Sequence, residues 1–437
     1  MIHERFKFKS KDDLLKKARQ LGLSLPFSED ISPLFEPVFI NDIKISNRFV
    51  VQPMEGYDSG DDGSPSELTR RRYLRYSAGG SGIIWFEAIA VTPEGRSNPR
   101  QLMVTGKNAG EYSSLVKKIR KNAPTSVQPF IVAQITHSGR YSRPDGVSRP
   151  LVPCNNSLLD RGNEKILSDD DLKKIMDMFI ETSRLAREAG FDAVDIKACH
   201  GYLIHELLFS YGRGNSIFGG PEPSKRFRFL LETIERVRSE VPGITVTTRV
   251  NLSDIYKGGF STTPGGEKYD LRESALLTGE LEKHGIKLMN TTMGSPYFNP
   301  HIVRPYDNPL PGAERPPEHP LEGVMRMIEG TLVIQKKYPG MRIIGSAYSW
   351  LRHFAPNVGA AVIKAGGASF IGFGRNSFAY PSMPLDLMTH GRADPKKFCI
   401  TCSGCTRLMK NLYPAGCVIH DRKIYGDLLK KIISDGK

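Results

Sequence analysis

Three proton-active side chains follow a short apolar run at residues 193–196. They are Lys197, His200 and Tyr202, within the segment Asp195-Ile-Lys-Ala-Cys-His-Gly-Tyr-Leu-Ile-His205. Lysine and histidine can polarise a carbonyl oxygen, and tyrosine can donate a proton to a carbon or oxygen atom held beside it. A hydrogen-bonded loop with a surface lysine would account for the same residue types. Their position where a predicted strand ends favours a catalytic role.

Two polar residues interrupt apolar runs that predict buried strands. Gln134 lies in the run 130–135, and Arg249 lies in the run 244–250. A buried amide requires hydrogen-bond partners, which the edge of a heterocycle or the neighbouring backbone could supply. A buried arginine requires negative charge, from an anionic ring or from a structural carboxylate. Both alternatives stay open for each residue.

Glycines mark the ends of the last two predicted strands. Gly345 and Ser346 follow one strand, and Gly374 and Arg375 follow the next. In barrels these two loops commonly form a phosphate site, because exposed backbone N–H groups and a short helix attract the anion. Neither a Walker phosphate loop nor the dinucleotide glycine fingerprint is present in the sequence.

Four of the six cysteines fall within nineteen residues, in the pattern Cys399-x2-Cys402-x2-Cys405-x11-Cys417. Thiolates at such short spacing fit a four-iron cluster or a tetrahedral zinc site, and the spacing alone does not separate the two metals. A secreted disulfide scaffold would be shorter and would carry a signal peptide. The cysteines therefore favour a reducing cytoplasm.

Composition excludes several classes of protein. The chain has 437 residues, of which 39% are hydrophobic and 25% charged, which excludes disorder and fibre. Neither an apolar run of about 18 residues nor a signal peptide is found, so we expect no membrane span and no secretion. The net charge of +14 is scattered along the chain. Without a nucleic-acid-binding motif, this favours anionic small molecules over nucleic acid as partners.

Eight short apolar runs alternate with amphipathic segments, which predicts βα units and a parallel sheet. Helices are predicted at residues 12–21, 169–189 and 225–241, and the second begins after Ser168. Long polar loops at 254–270 and 295–320 follow strands, as in a (β/α)8 TIM barrel with its site at the carboxyl ends of the strands. A doubly wound sheet with another domain is the alternative. The predicted strands are residues 48–53, 82–89, 130–135, 193–196, 244–250, 287–290, 342–345 and 369–373.

The alternation also predicts the division of the chain. Residues 1–32 form an N-terminal extension and residues 33–385 the barrel. Residues 386–437 form a short cysteine-rich appendage, which ends in a Lys-rich tail without large apolar content.

In order along the chain, these motifs resemble the old yellow enzyme family of NADH:flavin oxidoreductases. Within it they are most similar to the 2,4-dienoyl-CoA reductase and trimethylamine dehydrogenase branch, which carries cysteines after the barrel. The resemblance runs from about residue 34 to residue 417. Its pieces are Leu34-Phe-Glu-Pro, Ile45-Ser-Asn-Arg48, Pro53-Met54, Glu87-Ala88, Gln134, His137-Ser-Gly-Arg140, His200-Gly-Tyr-Leu-Ile-His205, Ser224-Lys-Arg-Phe-Arg-Phe229, Arg249 and Gly372-Phe-Gly-Arg375.

The resemblance implies FMN across the mouth of the barrel, with the redox chemistry supplied by that cofactor. Pro53, Met54 and Ala88 would border the ring, Gln134 would bind its pyrimidine edge, and Arg249 would neutralise negative charge near N1. Lys197 and His200 would bind the substrate oxygen, flavin N5 would deliver hydride to the β-carbon, and Tyr202 would protonate the α-carbon. The implied phosphate ligands are Gly345, Ser346, Gly374 and Arg375.

Three positions depart from the family pattern. Lys197 stands where relatives usually have histidine, which places a permanent cation at the substrate oxygen. Glu55 stands where relatives often have threonine or cysteine, and its carboxylate would lower the flavin reduction potential. The middle cysteine gap is two residues where cluster-bearing relatives have three.

The resulting hypothesis is an FMN-dependent ene-reductase that acts on an α,β-unsaturated carbonyl compound. NAD(P)H, or an electron-transfer protein acting through a 4Fe-4S cluster, would reduce the flavin. The alternatives are a Schiff-base aldolase or lyase that uses Lys197 and a non-catalytic FMN redox subunit. The sequence leaves open a homo-oligomer.

Overall fold

The computed structural model describes residues 3–436, and its centre is a closed barrel of parallel strands. Each barrel strand pairs with the next along the chain, and the last pairs with the first. This closure confirms the (β/α)8 barrel and excludes the doubly wound alternative, whose open sheet has two edges. The strands are β1 (Phe49–Val51), β2 (Ile83–Trp85), β3 (Phe130–Thr136), β4 (Ala193–Ile196), β5 (Thr245–Asn251), β6 (Leu288–Thr292), β7 (Arg342–Gly345) and β8 (Phe370–Phe373).

Amphipathic helices surround the strands. Ser168 begins α3 as predicted, because its Oγ accepts from the Asp171 amide at 3.1 Å and the Asp171 carboxylate accepts from the Ser168 amide at 3.0 Å. The helices are α1 (Glu67–Ala78), α2 (Ala109–Asn122), α3 (Asp169–Glu188), α4 (Pro223–Glu240), α5 (Arg272–Lys283), α6 (Pro320–Lys337), α7 (Ala355–Lys364) and α8 (Met383–His390). Shorter elements in the loops include helices Leu203–Leu208, Pro300–Val303 and Arg375–Ala379, and strands Ile89–Ala90, Leu151–Val152 and Lys165–Ile166.

A β-hairpin covers the amino-terminal end of the barrel. Its strands, Val38–Ile40 and Ile43–Ile45, pair antiparallel. The buried side chains of the hairpin belong to the same apolar cluster as residues of the barrel interior, among them Val50, Phe130 and Leu288. The hairpin therefore closes this end, and barrel enzymes have their sites at the other end, at the carboxyl ends of the strands.

The N-terminal segment packs on the outside of the barrel. Its helix, Lys11–Gln20, buries Leu14 and Ala18 in a cluster that also contains Trp350 and Phe354. The aromatic side chains and the apolar face of the helix together form a second core beside the barrel.

The C-terminal segment has a small core of its own, and the prediction of a tail without large apolar content was wrong. Two helices, Gly404–Lys410 and Asp427–Ser434, flank this core. The Asp421 carboxylate docks the segment on α1, since it accepts from Arg71 at 2.7 Å and from Arg75 at 2.6 Å. The buried core residues are Leu408, Val418, Tyr425 and Ile432.

Within residues 3–436, none of the helices combines the length and the apolar character that crossing a membrane requires.

We predict that Leu14→Ala lowers the free energy of unfolding by about 3 kcal/mol, because the substitution leaves a cavity beneath the N-terminal helix. Urea unfolding followed by tryptophan fluorescence measures the effect, since Trp350 lies in the same cluster. Lys16→Ala, on the exposed face of the same helix, is the control and leaves stability unchanged. Equal stability of the two variants would contradict the packing of this helix on the barrel.

Candidate functional site

A cavity of about 400 Å³ opens at the carboxyl ends of the strands. Most residues predicted from the sequence meet on its wall. Ala88 and Gly345 are buried and are not part of this wall. The predicted residues on the wall are Pro53, Met54, Glu55, Gln134, Lys197, His200, Tyr202, Arg249, Ser346, Gly374 and Arg375.

The Asp195 carboxylate on β4 ties together three strands below the cavity. Its Oδ2 accepts from Gln134 Nε2 at 2.6 Å and from Trp85 Nε1 at 2.8 Å, and its Oδ1 accepts from the Arg249 amide at 2.7 Å. Burial raises the pKa of Asp195 to about 6, and the three donors oppose that rise. Because Nε2 of Gln134 is engaged, its amide oxygen is available to a ligand in the cavity.

Arg249 is a buried cation that forms no direct ion pair among residues 3–436. Its side chain is 7% exposed, and its Nε has no hydrogen-bond partner. The Asp195 carboxylate accepts its hydrogen bond from the backbone amide of Arg249 and not from the side chain. Within residues 3–436, the guanidinium forms no ion pair. Burial lowers the pKa of Arg249. The guanidinium therefore keeps donors for a negatively charged ligand, while the Asp195 carboxylate attracts it without forming a direct ion pair.

Two further arginines meet at the β7–β8 side of the cavity. Arg375 is buried; its Nη2 donates to the Pro305 carbonyl at 2.7 Å, and its Nη1 has no hydrogen-bond partner. Arg304 lines the same cavity, and burial together with the charge of Arg375 lowers its pKa. Neither arginine forms an ion pair in the part of the chain that the structure describes. Two neighbouring cations without an acid create a site for an anion.

Small residues leave room beside these arginines. A Cβ on Gly372 would lie 2.1 Å from Gln52 Nε2, and one on Gly374 would lie 3.0 Å from Met54 Sδ. Ser346 is fixed because its Oγ donates to the Thr291 carbonyl at 2.8 Å. The two glycines at the end of β8 therefore let Gln52 and Met54 pack against the backbone there, on the wall of the cavity.

On the other side of the cavity, Tyr202 is held by an acid and by a second tyrosine. Its hydroxyl donates to Glu55 Oε1 at 2.9 Å and lies 3.1 Å from the Tyr297 hydroxyl. Lys197 Nζ lies 3.6 Å from the centre of the Tyr202 ring and 4.0 Å from Glu55 Oε1. Burial raises the pKa of Tyr202, as does the charge of Glu55. Tyr202 is therefore a neutral acid whose proton is held toward a carboxylate.

His200 occupies a strained turn that side-chain contacts hold in place. Its φ is +66°, and its amide donates to Asn251 Oδ1 at 3.2 Å. Its Nε2 lies 3.2 Å from Thr292 Oγ1. Burial lowers the pKa of His200 well below its usual value, and the charges of Arg249 and Lys197 lower it further. The imidazole is therefore neutral and contributes a hydrogen bond rather than a charge.

The four clustered cysteines lie next to this cavity but are not arranged as a metal site. Among residues 3–436, no three histidine, cysteine or acidic side chains are grouped closely enough to hold a metal ion. Backbone amides donate to Cys399 Sγ at 3.4 Å and to Cys417 Sγ at 3.3 Å. Burial raises the pKa of Cys399 to about 12. Iron–sulfur or zinc binding stays a prediction.

Several cavity residues were missed from the sequence. Arg304 lies in the long loop 295–320, which the sequence predicts as a loop but whose path to the cavity it does not indicate. Gln52 is next to the motif Pro53-Met54, and Arg143 lies three residues after Arg140, so their neighbours could have indicated them. The other missed residues include Tyr57, Tyr297, Thr406, Met409 and Lys410.

We predict that Arg249→Met raises the free energy of unfolding of the ligand-free protein by about 1–3 kcal/mol, because it removes an unpaired buried charge. The matched control is Arg226→Met. That guanidinium is also buried but is paired with Glu273 at 2.5 Å, so its loss lowers stability by about 3 kcal/mol. Urea unfolding measures both. Destabilisation by Arg249→Met would show that Arg249 has a structural partner.

Solved structures share this fold at low sequence identity. A 2-naphthoyl-CoA reductase complex superposes with a TM-score of 0.73 at 19% identity, covering 90% of this chain and 57% of that one. Histamine dehydrogenase from Rhizobium sp. 4-9 has a TM-score of 0.67 at 19% identity, covering 89% and 52%. Morphinone reductase has a TM-score of 0.62 at 18% identity, covering 89% and 96%. The chain thus spans about half the length of the first two proteins.

Sequence comparison finds nearer relatives. An NADPH dehydrogenase of Clostridium acetobutylicum is 33% identical over 235 residues, 53% of this chain and 67% of that enzyme. An NADPH dehydrogenase of Bacillus subtilis is 27% identical over 265 residues, 60% of this chain and 73% of that enzyme. The model of the NADH:flavin oxidoreductase / NADH oxidase family matches residues 33–284, more than half of the chain. This chain therefore belongs to that family.

Proposed function

We propose that this chain is an FMN-dependent oxidoreductase that reduces the C=C bond of an α,β-unsaturated carbonyl compound. One observation carries the proposal: a single cavity joins unpaired cations suited to an anionic cofactor with a buried tyrosine acid suited to a substrate. A Lys197 aldolase would need neither Arg249 nor the arginine pair, so membership of the flavin family and the charge of the cavity both disfavour it.

The phosphate end of FMN fits the β7–β8 side of the cavity. Arg304 and Arg375 supply charge that the protein leaves unneutralised, and Arg375 Nη1 is available as a donor. Gly374 and Ser346 leave space for a phosphate beside them, with Gly345 supporting this wall from behind.

The ring of FMN fits the strand ends on the opposite side. Arg249 would neutralise negative charge on the ring, and the Gln134 amide oxygen would accept a hydrogen bond from it. Pro53 and Met54 line the cavity, whereas Ala88 is buried outside its wall. When bound, FMN supplies hydride transfer between a nicotinamide donor and the substrate.

The protein binds and protonates the substrate. Lys197 and His200 hold the carbonyl oxygen, and the charge of Lys197 polarises the carbonyl group. Tyr202 keeps its proton at rest and donates it to the α-carbon. Glu55 fixes the direction of the Tyr202 hydroxyl, and its negative charge close to the ring lowers the flavin reduction potential.

The relatives named NADPH dehydrogenase support NADPH or NADH as the reductant. A separate electron-transfer protein is the alternative donor. We also propose a cytoplasmic location, where the clustered thiols stay reduced. A homo-oligomer remains open.

We predict that Tyr202→Phe slows reduction of 2-cyclohexen-1-one about 100- to 10,000-fold, because the α-carbon loses its proton donor. The rate of flavin reduction by NADPH stays unchanged, since that step does not use the tyrosine. Stopped-flow absorbance separates the two half-reactions. Tyr211→Phe, outside the cavity, is the control and keeps both rates.

Undiminished enone turnover by Tyr202→Phe would refute the role of this residue. A wild-type protein that binds FMN but reduces none of a panel of enones would favour the non-catalytic redox subunit.

The spacing of the four cysteines supports our proposal of a 4Fe-4S site, with zinc as the less favoured metal, although binding would require the thiols to move closer together than they lie among residues 3–436. Two thiols already accept backbone N–H bonds of the kind that tune such clusters.

We predict about four irons and four sulfides per chain in anaerobically purified protein, with absorption near 400 nm that overlaps the flavin bands. Metal analysis of the same sample quantifies zinc. Cys405→Ser loses the iron, whereas Cys154→Ser, outside the cluster, keeps it. One zinc per chain, or no metal, would overturn the iron–sulfur proposal.

A further inference from the structure

The side chains that line the cavity carry more positive than negative charges. Within residues 3–436 its wall has one carboxylate, Glu55, against six cations. The six are Arg143, Lys197, Arg249, Arg304, Arg375 and Lys410.

The proposed cofactor accounts for only part of this charge. The phosphate uses Arg304 and Arg375, and the ring uses Arg249. Lys197 has Glu55 as its counter-charge at 4.0 Å. Lys410 is exposed at the rim, where water solvates it. Arg143 is left as a half-buried cation on the wall that neither the cofactor nor a carboxylate neutralises.

Arg143 lies on the substrate side of the cavity. It follows Tyr141, whose ring stacks on Tyr297 with centroids 3.6 Å apart. The Tyr297 hydroxyl in turn lies 3.1 Å from that of Tyr202. The charge of Arg143 also acts on Tyr57, another residue of this wall. A group bound by Arg143 would therefore belong to a molecule that reaches Tyr202.

The backbone fixes Arg143 while leaving its guanidinium available. Its amide donates to the Arg96 carbonyl at 2.7 Å, and its carbonyl accepts from the Gly146 amide at 3.0 Å. The guanidinium makes a weak hydrogen bond, from Nη2 to the Gly146 carbonyl at 3.4 Å. Neighbouring Arg149, by contrast, is exposed and pairs with Asp145. An anchored arginine with free donors binds carboxylate or phosphate oxygens in a defined direction.

We propose that the substrate carries an anionic group, a carboxylate or a phosphate, which Arg143 binds while the unsaturated carbonyl group lies at Lys197 and Tyr202. This inference rests on the proposed function and narrows its substrate class. The anion compensates the charge that remains after FMN has bound.

Steady-state kinetics of the FMN-loaded enzyme with three probes tests the proposal. The probes share one cyclic enone and differ only in a side chain that ends in a carboxylate, its methyl ester or a phosphate monoester. The wild type favours at least one anion over the ester by about 10- to 100-fold in kcat/KM, mainly through KM. Arg143→Gln reduces this preference to about onefold, because kcat/KM for the anionic probe falls to that for the ester.

Two further variants keep the test interpretable. Arg149→Gln, on the same loop, keeps the wild-type preference. Arg143→Lys keeps the positive charge but loses the paired N–H donors of the guanidinium, so it retains part of the preference for the anionic probe. This variant also tests the role of the charge if Arg143→Gln does not fold. Flavin absorbance confirms that each variant holds FMN.

The outcomes separate the inference from the function on which it rests. If the wild type reduces none of the probes, the proposed function fails. If it reduces the ester as efficiently as both anions, or if Arg143→Gln keeps the preference, the function stands and the role of Arg143 is overturned. The better anionic probe identifies the group as carboxylate or phosphate.

Discussion

Buried positive charge that the protein does not neutralise is the constraint on which this site depends. Arg249 and Arg375 are buried and Arg304 is half-buried, yet no acid forms an ion pair with them in residues 3–436. Such cations destabilise a folded chain unless a ligand supplies the counter-charge. The closed barrel holds Arg249 in place, because its strand is paired on both edges, and a hydrogen bond from Arg375 to the Pro305 carbonyl joins the other two arginines' segments. The site is therefore organised for an anion before any ligand binds.

The same cavity separates cofactor binding from proton chemistry. The Asp195 carboxylate connects the residues at the bottom of the cavity, because it accepts hydrogen bonds from the Gln134 side chain and from the backbone of the strand that carries Arg249. At the opposite side, the Glu55 carboxylate lies 4.0 Å from Lys197 Nζ and accepts a hydrogen bond from the Tyr202 hydroxyl. Asp195 fixes groups on three neighbouring strands, whereas Glu55 contacts Lys197 and Tyr202, which both follow β4.

Much of the fold could be predicted because its signals are local. Buried parallel strands appear as short apolar runs, and the Ser168–Asp171 capping box marks the start of α3. Arg304 could not be recognised, because the path of its loop depends on distant contacts such as Asp307 with Thr401. The C-terminal core was missed because its apolar residues are widely spaced and lack a regular period. The division at residues 32 and 385 stays a prediction.

The most direct test of the charge-based account compares FMN with riboflavin, which lacks the phosphate. Flavin is removed from the purified protein, and fluorescence quenching measures rebinding of each compound. The account predicts one FMN per chain and riboflavin binding weaker by about 100-fold or more, because only FMN neutralises Arg304 and Arg375. Equal affinity for the two flavins, or failure to bind either, would contradict it.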